Sequence, residues 1–82
     1  MANIIVYGAD WCSKTRNTLA HLEQRGINYQ YINIDTDREA AKWVADQNNG
    51  REKKPTLNID GEVLTEPTDR ELDVALAAHS IA

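Results

Sequence analysis

The sequence is short of the residue types that small domains often use to stabilise themselves. It has a single cysteine, Cys12, and two histidines in 82 residues. One cysteine excludes an internal disulfide, and two histidines far apart in the chain do not form a zinc cluster. Phenylalanine is absent, so the core must come from aliphatic side chains. We expect no metal, and the lone thiol indicates a reducing, cytoplasmic setting.

Basic residues and long apolar runs are also scarce, which excludes some classes of binding partner. The net charge of −4 disfavours nucleic acid and anionic membranes as partners. No stretch approaches the ~20 apolar residues of a membrane span. The N-terminus lacks the basic region and apolar run of a secretion signal. We expect one domain, residues 1–82, and a monomer.

Hydrophobic periodicity and turn residues predict four strands and three helices. Strands are predicted within residues 3–8, 29–35 and the two arms of 56–65, and helices within 12–25, 36–50 and 68–79. Asp60-Gly61 between two apolar alternations is a strong hairpin signal. The order β-α-β-α-β-β-α predicts an α/β fold: two parallel strands joined by a helix and then an antiparallel pair, giving a four-stranded mixed sheet flanked by helices.

Two of the predicted helices begin with a capping-box pattern. Thr36 is followed by Glu39, and Thr68 is followed by Glu71. In such a pair each side chain accepts a hydrogen bond from a backbone N–H that the helix leaves unpaired. Both pairs are therefore predicted to mark helix starts.

Cys12 stands where the first strand gives way to the first helix. Unpaired N–H groups and the positive end of the helix dipole favour a negative sulfur at that point. The hydroxyl of Thr15, one turn on, can donate to the same sulfur, and Lys14, Arg16 and Lys54 add positive charge. Asp10 acts in the opposite direction. We expect a lowered pKa and a reactive Cys12 thiol; the alternative is an inert, packed cysteine.

The chain resembles the glutaredoxin branch of the thioredoxin fold over nearly its whole length. The similar segments are VYGADWCSKT (6–15), RGINYQYINID (25–35), KKPT (53–56), NIDGEVL (58–64) and TEPTDREL (65–72). Among glutaredoxins it most resembles the small actinobacterial type called mycoredoxins. The resemblance implies a thioredoxin-like fold and a thiol-disulfide oxidoreductase.

Several positions depart from the family pattern. Thr15 replaces the second cysteine of the Cys-x-x-Cys motif, and Lys53-Lys54 replaces the usual Thr-Val before Pro55. Residues 65–67 stand where a Gly-Gly pair is common, and no lysine precedes Cys12 in its loop. Each departure removes a feature normally credited with thiol activation or glutathione binding.

With a single thiol, a mixed disulfide on Cys12 must be resolved by an external thiol. The resemblance implies glutathione or a similar low-molecular-weight thiol as the co-substrate, and thiol- or disulfide-bearing proteins as partners. Cys12 and Thr15 are thus the expected catalytic residues of a monothiol cycle.

The resemblance also implies a substrate-binding set made of Trp11, Lys54, Pro55, Thr68 and Asp69. Pro55 is expected to be a cis proline that turns the backbone of Lys54 toward Cys12, where it can pair with a peptide-like ligand. The N–H groups of Thr68 and Asp69 can bind a carboxylate, although Thr68 can equally serve as a helix cap. Trp11 is expected at the rim, shielding the thiol.

Three other functions stay open. One cysteine per chain fits an iron-sulfur carrier formed as a glutathione-ligated dimer, although the signature of that branch is missing. The segment CSKTRNTL (12–19) resembles the helix start of arsenate reductases. The missing second cysteine also fits a redox-silent binding module that kept the fold.

Overall fold

The computed structural model describes residues 3–81 and has the predicted order of elements. The strands are β1 (Ile4–Gly8), β2 (Gln30–Asn33), β3 (Thr56–Ile59) and β4 (Glu62–Thr65). The helices are α1 (Ser13–Gln24), α2 (Arg38–Gln47) and α3 (Asp69–Ala78). None of these helices is both long and apolar enough to cross a membrane, within residues 3–81.

The predicted mixed sheet is confirmed, with strand order β2-β1-β3-β4. β1 pairs in parallel with β2 and antiparallel with β3, and β3 pairs antiparallel with β4. Val6 of β1 is therefore flanked by Tyr31 and Leu57. As predicted, β1 is buried on both faces, because it is an inner strand with helices on either side.

Two hydrophobic clusters fill the two faces of the sheet. The larger one joins α1 and α3 to the strands through Ile4, Val6, Leu22, Leu57, Ile59, Leu72, Ala75 and Leu76. The smaller one joins α2 to the opposite face through Tyr7, Ile34, Ala41 and Val44. The ring of Tyr7 stacks on Trp43, with centroids 4.7 Å apart. Trp43 thus anchors α2 to the sheet, which is the packing role expected from the sequence.

The hairpin and the third helix form as their local signals predict. Asp60 and Gly61 both have positive φ, 48° and 97°, which a primed two-residue turn requires. At α3, Glu71 N donates to Thr68 Oγ1 and Thr68 N donates to Glu71 Oε1, at 3.1 and 2.8 Å. The capping box at Thr68 is therefore confirmed.

The capping box predicted at Thr36 and Glu39 is wrong. Asp37 is the N-cap of α2, and its Oδ1 accepts a hydrogen bond from Ala40 N at 3.0 Å. The hydroxyl of Thr36 instead donates to the carbonyl of Asn33 at 3.2 Å. Aspartate is at least as good an N-cap as threonine, so the helix begins one residue later than the pattern predicted.

Candidate active site

Cys12 is the N-cap residue of α1. Its backbone is extended, with φ −80° and ψ 117°, and its side chain makes no cap hydrogen bond. The N–H of Cys12 donates to Ala9 O at 3.1 Å, and Arg16 N donates to Cys12 O at 3.0 Å. The partly buried sulfur therefore lies beside the unpaired N–H groups of the first helical turn.

The pKa of the Cys12 thiol lies below its ordinary value, in the direction expected from the sequence. Burial raises this pKa, but the Thr15 hydroxyl, the nearby N–H groups of Thr15 and Lys14, and the charge of Lys54 all favour the thiolate and lower the pKa further than burial raises it. Each of these groups stabilises the thiolate, which is the nucleophilic form of cysteine.

Thr15 is fully buried beneath the active-site loop. Its Oγ1 accepts a hydrogen bond from Ala9 N at 3.4 Å, which leaves the hydroxyl proton free to point to the sulfur of Cys12. The position that holds the second cysteine in many glutaredoxins is thus a packed, hydrogen-bonded threonine.

The turn before β3 lies against the sulfur. The Lys54–Pro55 peptide bond is cis, as expected. Cys12 Sγ lies 3.9 Å from Lys54 O, to which the thiol donates. Within residues 3–81, the N–H of Lys54 has no hydrogen-bond partner. The backbone of Lys54 thus has the placement, next to the thiol, that the resemblance implied.

Trp11 and Lys54 form a pair beside the thiol. The Trp11 side chain is 66% exposed, and its Nε1 donates to Asp35 Oδ2 at 2.7 Å. Lys54 Nζ lies 5.2 Å from the centroid of the Trp11 ring, within the range of a cation–π contact. Trp11 is therefore a fixed part of the rim, as expected, and it is more exposed than a shielding residue would be.

A groove of about 300 Å³ runs from α1 to the start of α3. It is lined by Lys14, Asn17, Thr18, Pro55, Glu66, Pro67, Thr68 and Asp69. The structure thus brings together three of the five predicted substrate-binding residues, Pro55, Thr68 and Asp69. The N–H of Thr68 donates to Glu71. The expectation that the N–H of Thr68 binds a ligand carboxylate is therefore corrected. The N–H of Asp69, the first residue of α3, has no partner within residues 3–81.

An ion pair that the sequence did not reveal crosses this groove. Lys14 Nζ lies 2.8 Å from Glu66 Oε1. The hydrogen bond between them raises the pKa of Lys14 and lowers the pKa of Glu66. The two residues are 52 positions apart, and no local pattern joins them. The Lys14 ammonium, expected to act on Cys12, has Glu66 as its main partner, and the charge of Cys12 contributes less to its raised pKa.

Side chains also fix the loop that precedes Cys12. Tyr31 on β2 donates its hydroxyl to Asp10 Oδ1 at 2.7 Å, and Arg16 donates to Asp10 O at 3.0 Å. The sequence suggested that Arg16 acts on the sulfur. In the structure its guanidinium binds the loop backbone instead. Tyr31 was not predicted as part of the site, because its strand position shows only that it lies on one face of the sheet.

Both histidines are paired with carboxylates. His21 Nε2 lies 2.7 Å from Asp73 Oδ1, and His79 Nε2 lies 2.8 Å from Glu62 Oε1. No group of three or more His, Cys, Asp or Glu side chains suited to a metal ion occurs in the part of the chain that the structure describes.

The chain is similar to known proteins over most of its length. The glutaredoxin sequence profile matches residues 4–64, which contain Cys12, Thr15, Lys54 and Pro55. The chain belongs to the glutaredoxin family. It is 35% identical over 79 residues to Mycoredoxin 1 of Corynebacterium glutamicum, a match that covers 95% of this chain and 98% of that relative. The resemblance to glutaredoxins and mycoredoxins is thereby confirmed.

Solved structures show the same thioredoxin-like fold. The crystal structure of a glutaredoxin from Archaeoglobus fulgidus superposes with a TM-score of 0.78 at 20% identity, covering 90% of this chain and 85% of that one. Wheat glutaredoxin superposes with a TM-score of 0.67 at 19% identity, covering 92% and 70% of the two chains. Membership of the glutaredoxin family assigns the chain a thiol-disulfide oxidoreductase kind of function.

Proposed function

We propose that this glutaredoxin reduces mixed disulfides by a monothiol cycle, with Cys12 as the nucleophile and an external small thiol such as glutathione as the resolving agent. The observation that carries the proposal is the surroundings of the Cys12 sulfur. Two backbone N–H groups, one buried hydroxyl and one ammonium charge lower its pKa, and the chain holds no second cysteine.

The cycle consists of two exchange steps. The Cys12 thiolate attacks the glutathione sulfur of a glutathionylated protein. The S–S bond to the protein breaks, a disulfide between Cys12 and glutathione forms, and the protein leaves as a thiolate that takes a proton from water. The thiolate of a second glutathione then attacks the bound glutathione sulfur, which releases glutathione disulfide and the Cys12 thiolate.

The residues around the sulfur have separate roles in this cycle. Thr15 and the charge of Lys54 stabilise Cys12 as attacking and leaving thiolate. The unpaired N–H of Lys54 and its carbonyl pair with the cysteine backbone of glutathione, as a neighbouring strand would. Trp11 borders the partner protein. These contacts place the disulfide in line with Cys12 Sγ.

The groove accepts the rest of the small thiol. Pro55 forms its wall, and the start of α3, at Thr68 and Asp69, presents a free N–H and the positive helix end to a carboxylate. The side chains of Glu66 and Asp69 add negative charge to the same groove. We therefore expect glutathione to bind weakly, with the sulfur exchange dominating recognition.

A direct test measures the turnover of a glutathionylated peptide by the purified chain with reduced glutathione. We expect turnover in the wild type, none in Cys12→Ser, and near wild-type turnover in Ser13→Ala, which changes the exposed neighbour. Equal rates in the wild type and Cys12→Ser would overturn the proposal, and would point to a redox-silent module of the same fold.

A further inference from the structure

The first helix differs from the other two in what its N-terminus binds. Asp37 caps α2, and Thr68 with Glu71 caps α3, and both helices carry acidic residues in the first turn. In α1 the N-cap is Cys12, no side chain caps the helix, and the first turn has no acidic residue. The positive end of α1 is therefore left to the Cys12 sulfur.

Asp10 is the acidic residue nearest to this helix end in the sequence. It lies two residues before Cys12, in the loop between β1 and α1. Asp is among the best N-capping residues. Asp10 is not the N-cap itself, but a free Asp10 carboxylate in this loop would bring a negative charge close to the same helix end, where it would compete with the thiolate and repel it.

The structure shows what holds this carboxylate elsewhere. Tyr31 donates its hydroxyl to Asp10 Oδ1 at 2.7 Å. Tyr31 lies on β2, in register with Val6 of β1, and its ring packs against the core cluster on the α1 side of the sheet. The hydroxyl thus projects from a strand that is paired with β1 and packed on the core, and not from the loop that carries Asp10.

We propose that Tyr31 is a positioning residue for the thiol-disulfide reaction: it binds the carboxylate of Asp10 and thereby reserves the N-terminus of α1 for the Cys12 thiolate. Burial, the hydrogen bond to Asp10 and the charge of Asp10 all raise the pKa of Tyr31, so the hydroxyl stays a donor throughout the working pH range. Arg16 assists by holding the carbonyl of Asp10.

Other charged groups near the loop do not offer Asp10 the same contact. Asp35, from the segment after β2, accepts from Trp11, and Lys54, from the turn before β3, lies on the Trp11 ring. Arg16 donates to the backbone carbonyl of Asp10 and not to its carboxylate. Removal of the Tyr31 hydroxyl therefore frees the Asp10 carboxylate in the loop that leads into α1, a helix whose N-terminus has no side-chain cap.

The inference rests on Cys12 being the reactive thiolate of the proposed function, and its test is separate from turnover. The rate of iodoacetamide alkylation is measured against pH for the wild type, Tyr31→Phe, Asp10→Asn and the double variant. We expect Tyr31→Phe to raise the midpoint and to slow alkylation below it by about threefold to tenfold, the effect of a carboxylate brought near the sulfur. The double variant should react as Asp10→Asn does.

A matched control is available at the other end of α1. The hydroxyl of Tyr29, just before β2, donates to Glu23 of that helix. Tyr29→Phe removes the same kind of bond far from the N-terminus and should leave the alkylation profile unchanged. Thermal unfolding of each variant shows that it is folded.

The outcomes separate the two proposals. If the alkylation midpoint of the wild type equals that of an ordinary cysteine, the proposed function itself is wrong. A lowered wild-type midpoint that Tyr31→Phe leaves in place would overturn the role of Tyr31 alone. The role of Tyr31 would also be overturned if Tyr31→Phe shifted the midpoint equally in the wild type and in Asp10→Asn, because Tyr31 would then act through packing.

Discussion

A β carbon on Gly8 would lie 2.5 Å from both Oγ1 and Cγ2 of Thr15. Gly8 ends β1 and Thr15 lies in the first turn of α1, so the strand and the helix approach each other at this point. The absence of a side chain on Gly8 lets Thr15 reach the N–H of Ala9 and the sulfur of Cys12 together. The strand thus contributes to thiol activation through a residue that has no functional group.

We predict that Gly8→Ala destabilises the fold by about 1–3 kcal/mol, the usual cost of overpacking, and raises the pKa of Cys12 by displacing Thr15. Denaturant unfolding and thiol alkylation against pH measure the two effects. In the double variant with Thr15→Ala the two 2.5 Å contacts disappear and only the contact with the β carbon of residue 15, at 3.0 Å, is left, so the combined cost should be less than the sum of the two single costs. Additivity within about 0.5 kcal/mol would contradict this packing relationship.

The Thr15 hydroxyl is testable by a substitution of nearly the same shape. Thr15→Val keeps the volume and removes the donor to Cys12 and the acceptor for Ala9 N–H. We expect a loss of about 1–3 kcal/mol, because a buried N–H is left unpaired, and slower alkylation of Cys12 at neutral pH. Thr15→Ser keeps the hydroxyl and should preserve the low pKa. If Thr15→Val alkylates as fast as the wild type, Thr15 only fills space.

The ion pair across the groove makes a prediction about the small thiol. In Glu66→Gln the Lys14 ammonium is released and the groove loses a negative charge, so the KM for glutathione should fall by about twofold to fivefold, as expected for an exposed pair. Steady-state turnover at several glutathione concentrations measures this. Glu62→Gln, which removes a carboxylate paired with His79 outside the groove, is the control. An unchanged or higher KM in Glu66→Gln would show that glutathione does not use this groove.

Features set by neighbouring residues in the sequence were predictable, and those set by distant pairs were not. The turn at Asp60-Gly61 and the capping box at Thr68 follow from local backbone chemistry. The box at Thr36 was misassigned because two adjacent residues can both cap a helix: Asp37 caps α2, while the Thr36 hydroxyl donates to Asn33 O. The placement of Cys12 next to Lys54 was foreseeable only through the family resemblance.

Side-chain partners across the fold decided the electrostatics of the site. The sequence suggests that Lys14 and Arg16 act on the thiol and that Asp10 opposes them. In the structure Lys14 is bound to Glu66, and both Arg16 and Tyr31 bind Asp10. Such pairs depend on rotamers and on strand register, which periodicity does not reveal.

The lowered pKa of Cys12 also predicts how stability changes with pH. A group whose pKa is lower in the folded state adds stability that is complete above its unfolded pKa, and that is lost as the pH falls through its folded pKa. Between these two values the wild type should therefore gain stability relative to Cys12→Ser as the pH rises. Urea unfolding of both proteins between pH 5 and pH 9 measures the difference. A difference that does not vary with pH would contradict the lowered pKa.

The central claim, that this fold activates a lone cysteine, is tested most directly by the alkylation rate of Cys12 as a function of pH. The chain has one cysteine, so iodoacetamide reports on one site, and a synthetic peptide of residues 9–16 provides the same cysteine without the fold. We predict a midpoint clearly lower in the protein than in the peptide. Equal midpoints, or a higher one in the protein, would contradict the account and leave Cys12 an ordinary thiol.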